Sequence, residues 1–122
     1  MDAVIDLGSN SVRLMLTDKK FDKLTQVTQL SQGLSTYGVL CDAAMERTLS
    51  AIISFIEYAR SKNADNIFIF GTEAMRAAKN SQYFKNLVFD KTGIEIDVIS
   101  GNDEALCGFL GAVSGKSISK TA

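Results

Sequence analysis

"IDLGSNSVRLMLTD", Ile5 to Asp18, sets an acid, a glycine, two serines and an asparagine between two apolar runs. Gly8, Ser9 and Asn10 are turn formers, so the stretch reads as two strands joined by a tight connection. Met1 to Asp6 is the first strand. Ser11 to Thr17 is the second, where Val12, Leu14 and Leu16 alternate with Arg13, Met15 and Thr17. A third strand, Leu24 to Leu30, follows the charged turn "DKKFDK", which makes the opening of the chain an antiparallel meander.

Beyond it the period of the apolar residues changes. "QGLSTYGVL", Gln32 to Leu40, is polar and carries glycine, and reads as a loop. A long helix follows. Asp42 sits at its start, Met45, Leu49, Ile52, Ile53, Ile56 and Ala59 form its apolar stripe, and Arg60 and Lys62 close it. "NIFIFG", Asn66 to Gly71, has the density of a strand buried on both faces. A short helix is expected from about Glu73 to Lys79 and a second helical stretch from Ser81 to Lys91. "IEIDVIS", Ile94 to Ser100, is a strand, and "GNDEALCGFLGAV" a closing helix. The order β-β-β-α-β-α-β-α predicts an α/β domain with a mixed five-stranded sheet, right-handed crossovers and helices packed on it. The domain is expected over residues 1–113, with the small polar tail 114–122 a flexible end or linker.

Composition narrows the chemistry. The 122 residues suffice for one domain with its own core, and 46% apolar with 22% charged residues is the balance of a folded globular chain. A net charge of −1 gives no broad basic face for nucleic acid. No apolar run reaches the ~20 residues of a membrane span, and "MDAVID" lacks the features of a secretory signal. Cys41 and Cys107 have no metal-site spacing and read as buried free thiols of a cytoplasmic protein. With no histidine, Ser-His-Asp and Cys-His catalysis are excluded within this chain. What remains is carboxylates, hydroxyls, Arg, Lys, backbone amides and oxygen-seeking ions such as Mg²⁺.

Three stretches carry such groups. In "DLGSNS", Gly8, Ser9, Asn10 and Ser11 can present successive amides to an anion, and Asp6 at the strand end can take Mg²⁺ directly or through water. An ordinary hairpin accounts for the same residue types. In "FGTEAMRAA", Thr72 suits a helix cap, while Arg76, on a helix of small residues, can offer a phosphate a bidentate fork or simply face solvent. In "ISGNDEA", Ser100 and Asp103 have the spacing of a capping box, which leaves Glu104 without that explanation. Glu104 can accept a proton from a water attacking a phosphoryl group, or serve only as a favourable charge in the first helical turn.

The three stretches in this order resemble the exopolyphosphatase and guanosine pentaphosphate phosphatase family of the actin, sugar kinase and heat-shock ATPase superfamily. "IDLGSNSVRL" resembles its first phosphate motif, "GTEAMRAAKN" its middle motif and "ISGNDEALCGFLGAV" its third. The resemblance implies an actin-like (ribonuclease H-like) half-domain. It implies that Asp6 helps hold a divalent cation such as Mg²⁺, and that Gly8, Ser9, Asn10 and Ser11, with Thr72, line the phosphate end of a cleft. Arg76 would contact substrate phosphates, and Glu104 would be the general base for the attacking water. The substrate would be polyphosphate or guanosine pentaphosphate. Members continue into a second half-domain opened by a motif of the "D-I-G-G-G-S" kind, which this sequence lacks, so one wall of the cleft is expected here and little activity from this chain alone. Two other readings stand beside it: half of a sugar-kinase-like ATPase, and a non-catalytic half-domain that binds a partner or pairs with itself as a homodimer.

Overall fold

A computed structural model of the chain describes residues 1–17 and 23–99. The elements are β1 (Asp2–Leu7), β2 (Ser11–Leu16), β3 (Lys23–Val27), α1 (Leu34–Tyr37), α2 (Asp42–Ser61), β4 (Asn66–Gly71), α3 (Glu73–Ala77), α4 (Ser81–Thr92) and β5 (Ile96–Val98). They build one five-stranded sheet in the order β3-β2-β1-β4-β5. The first three strands pair antiparallel, and β1, β4 and β5 run parallel. The expected mixed sheet with packed helices is the observed one. The "DKKFDK" turn up to Asp22, the closing helix, Cys107 and the tail lie outside the described residues.

Strand alternation divides the apolar residues between two layers. Ala3, Ile5, Leu7, Val12, Leu14, Leu16, Ile69 and Ile96 join the large cluster that includes Ile52, Phe55 and Ile56 of α2 and Phe84 and Val88 of α4. Val4 and Phe70 form a second buried cluster with Phe68 and Ile99 against it, and the Phe68 and Phe70 rings stack at 6.3 Å. Asp6 alternates onto that second face with Val4, and it is buried.

Several boundaries differ from the sequence reading for local reasons. β3 ends at Val27 rather than Leu30 because the Thr28 and Gln29 amides both turn to the Asn10 carbonyl, with Gln29 at φ 52. The expected loop over 32–40 contains the single helical turn α1. The buried stripe of α2 is Ala44, Met45, Thr48, Ala51, Ile52, Phe55, Ile56 and Ala59; Leu49 and Ile53 fall on its flank and are half-buried. β4 is buried on both faces only over its last three residues. α3 stops at Ala77, two residues early, and β5 spans only three residues of the seven expected. Cys41 is half-buried rather than buried.

Candidate functional site

The parallel register puts the carboxyl ends of three strands level: Leu7 lies beside Gly71, and Gly71 beside Val98. In α/β sheets that edge is where ligands collect. The three stretches singled out in the sequence leave from these ends, and hydrogen bonds lace them together. Thr72 Oγ1 donates to the Leu7 carbonyl at 3.2 Å. The Ile99 amide donates to the Gly71 carbonyl at 3.0 Å, and Arg76 Nη1 donates to the Ile99 carbonyl at 2.7 Å. Thr72 therefore ties β4 to β1; it makes no side-chain cap on α3, contrary to the helix-cap reading. Gly71 permits the crossing: a Cβ there would lie 2.6 Å from Met75 Cγ and 2.9 Å from Met75 Cβ.

The β1–β2 connection is tight. The Gly8 amide donates to the Ser11 carbonyl at 2.9 Å, and a Cβ on Gly8 would stand 2.9 Å from that same oxygen. The Asn10 carbonyl accepts from the Thr28 and Gln29 amides, each at 3.0 Å, and the Ser9 carbonyl accepts from the Ser31 amide at 3.0 Å. Both carbonyls are thus committed to the segment after β3. Because C=O and N–H point oppositely across a trans peptide, the Asn10 and Ser11 amides face away from that segment. Among the described residues the Ser9 and Asn10 amides have no backbone acceptor. A turn with unpaired amides and a glycine at its tightest point has the makings of an anion nest.

Asp6 is 1% exposed and sits one residue inside the end of β1, not at its tip. Its Oδ2 accepts from Arg13 Nη2 at 2.5 Å, and its Oδ1 is buried without a hydrogen-bond partner among the described residues. The Arg13 side chain is half-exposed. Sequence reasoning left Arg13 merely as an outward residue of β2. The signal was there, since Asp6 and Arg13 stand at equal distances from the centre of a two-residue turn and must face each other across the hairpin.

Arg76 is exposed, and after its bond to Ile99 four N–H groups of the guanidinium have no acceptor among the described residues. Beside the turn lies an opening of about 440 Å³ lined by Ser9, Ser31, Leu34, Ser35, Glu73 and Ala77, among others. Behind the turn, Arg47 of α2 holds the Thr28 carbonyl, and Asn80 forks onto both backbone groups of Leu40. Neither was singled out in the sequence, because both act through backbone groups far away in the chain. The structure brings Asp6, the Gly8–Ser11 turn, Thr72 and Arg76 to one sheet edge. Glu104, with Ser100 and Asp103, lies outside the described residues. Among the described residues no group of three or more Cys, Asp or Glu side chains gathers as a metal site, and no helix is long and apolar enough to cross a membrane.

Comparison with known proteins finds relatives of the whole described fold. The Ppx/GppA phosphatase family matches residues 4–121. A bifunctional 3-dehydroquinate synthase/phosphatase of Fusobacterium nucleatum is 32% identical over 92% of this chain and 19% of its own length. A guanosine-5'-triphosphate,3'-diphosphate pyrophosphatase of Photobacterium profundum is 32% identical, covering 84% of this chain and 22% of its own. Exopolyphosphatase 1 of Mycobacterium tuberculosis is 27% identical over 88% of this chain and 33% of its own. Among solved structures, the Aquifex aeolicus Ppx/GppA family member superimposes with a TM-score of 0.78 at 26% identity, over 92% of this chain and 39% of that one. The chain thus spans between a fifth and two fifths of these relatives.

Proposed function

The chain belongs to the Ppx/GppA phosphatase family, and from that premise we propose that it is one wall of a phosphoanhydride hydrolase, acting on a terminal phosphoryl group of polyphosphate or guanosine pentaphosphate. The observation that carries the reading is the lacing of three strand ends around a turn with unpaired amides. The Ser9 and Asn10 amides and the turn hydroxyls would receive the terminal phosphoryl oxygens. Thr72 and the free N–H groups of Arg76 would hold the neighbouring phosphates. Preorganised donors of this kind stabilise the charge of a phosphoryl-transfer transition state.

Glu104 would take a proton from water as its oxygen bonds to phosphorus. The bond from phosphorus to the bridging oxygen breaks, and the shortened chain leaves with that electron pair. A second half-domain, beyond these residues, would supply the facing wall; residues 1–113 form this half and 114–122 its linker. The setting would be cytoplasmic.

A divalent ion fits the donor set through a single oxygen. Asp6 Oδ1 is buried and unpartnered among the described residues. Mg²⁺ commonly takes one or two carboxylates and completes its shell with water and phosphate. Bound there, it would neutralise charge on the substrate phosphates. Arg13 shares the same carboxylate and lowers its appetite for a second cation.

The test is phosphate release from long-chain polyphosphate and from guanosine pentaphosphate with Mg²⁺, for this chain alone and joined to a second half-domain, each with and without Glu104→Gln. The reading expects a silent single chain, an active joined protein and a dead variant. Turnover by the chain alone, or near-normal activity of Glu104→Gln, would overturn the half-site or the base assignment respectively.

A further inference from the structure

The groups behind the turn form a line. Arg47 donates from Nε to the Thr28 carbonyl at 2.9 Å and from Nη2 to Gln32 Oε1. The Thr28 carbonyl shares its peptide with the Gln29 amide, which donates to the Asn10 carbonyl at 3.0 Å. That carbonyl shares its peptide with the Ser11 amide. Trans peptides set C=O and N–H in opposite directions. Guanidinium, Thr28–Gln29 peptide and Asn10–Ser11 peptide therefore stand head to tail, the positive charge at the far end and the Ser11 amide at the near end, in the same turn as the Ser9 and Asn10 amides. Chains of hydrogen bonds polarise one another, so the cation strengthens each donor along the line. The line also needs a brace. Gln29 sits at φ 52, which non-glycine residues seldom adopt, so the segment does not favour this shape by itself.

We propose that Arg47 is a positioning residue for the phosphate turn. It fixes and polarises the peptide that aims the turn's amides, without touching phosphate. The proposal rests on the reading of the turn as a phosphate cradle, and it adds a residue from α2, remote from all three motif stretches.

The experiment uses the full chain and tripolyphosphate. Arg47→Met keeps the aliphatic stem and loses the fork; Arg60→Met, at an exposed position of the same helix, removes an equal charge elsewhere. Without ligand, Arg47→Met should speed hydrogen exchange of the Thr28, Gln29 and Ser31 amides about tenfold. Tripolyphosphate affinity should fall about tenfold, the loss expected for a charged hydrogen bond, with its dependence on salt unchanged because no charge leaves the ligand. Arg47→Lys, with the charge and one bond, should recover part of the affinity, and Arg60→Met should change neither readout.

Unchanged exchange and affinity in Arg47→Met would overturn the proposal while leaving the cradle standing. So would a loss matched by Arg60→Met, or one with a flattened salt dependence, which marks direct contact. Failure of the unaltered chain to bind tripolyphosphate would overturn the cradle and the proposal together. Should Arg47→Met not fold, Gln32→Ala removes half of the fork and should cost about threefold in affinity, and no loss there overturns the proposal.

Discussion

Replacing Gly71 with alanine tests how closely the middle stretch is seated. The added Cβ would lie 2.6 Å from Met75 Cγ, 2.9 Å from Met75 Cβ and 3.4 Å from Ile96 Cγ2. Carbon atoms prefer about 3.5–4.0 Å, so the overlap with Met75 approaches 1 Å. Met75 and Ile96 are 1% and 2% exposed, which leaves no open side to move into. Met75 Cγ can swing about χ1, but its Cβ moves only with the backbone of α3. Overpacking of this sort costs about 1–3 kcal/mol, offset by roughly 0.5–1 kcal/mol from removing a strand glycine. The net expectation is about 1–2 kcal/mol, or some 4–10 °C in melting temperature for a domain of this size. Urea denaturation followed by circular dichroism reads it directly. Met75→Ala added on top removes the 2.6 Å contact but keeps the 2.9 Å one and opens a cavity, so the double variant should not regain the original stability. Because α3 would shift with Thr72 at its start, tripolyphosphate affinity should fall as well. A Gly71→Ala chain within about 0.5 kcal/mol of the original would refute the packing argument, since ordinary surface changes fall in that range.

Arg13→Met should destabilise the chain by about 2 kcal/mol, below the 3–5 kcal/mol typical of a broken buried pair because the Arg13 side chain is half-exposed. Asp6→Asn in the same chain should cancel much of that loss in a double-mutant cycle. Phe84→Ala, at a fully buried position joining α4 to the core, should cost about 3–5 kcal/mol in urea melts and leave tripolyphosphate binding intact where the chain remains folded. Glu73→Lys reverses a charge in the lining beside the turn. It should tighten tripolyphosphate binding about threefold at low ionic strength, an advantage that a titration near 1 M salt should abolish.

What the sequence disclosed followed from local rules. Alternation in "SVRLML" and the density of "NIFIFG" fixed strands whose observed bounds differ by a residue or not at all. The helical stripe from Met45 to Ala59 found α2, because period 3.6 is preserved over about four turns. The parts that escaped depend on contacts across the chain. β3 ends three residues short of Leu30, since Val27, Thr28 and Leu30 are residue types a strand accepts while the Thr28 and Gln29 amides turn to the Asn10 carbonyl, a contact across the chain. Asp6 was placed at a strand tip, where a metal carboxylate belongs. The strand in fact continues through Leu7, and the hairpin register hands Asp6 to Arg13. Thr72 has the residue type of a cap, but the level ends of β1 and β4 offer its hydroxyl the Leu7 carbonyl instead. Arg47 and Asn80 bear no local mark at all, because the backbone they hold is 19 and 40 residues away.

The central claim is that the Gly8–Ser11 turn receives phosphate. Amide chemical shifts of the isotopically labelled chain, followed as tripolyphosphate and Mg²⁺ are added, test it most directly. The expected result is saturable movement of the Ser9, Asn10 and Ser11 amides, with Thr72 and Arg76 responding at the same concentrations. If those amides stay still while the chain binds elsewhere, at the Arg60 and Lys91 cations for example, the turn is an ordinary hairpin and the phosphate-site reading is wrong.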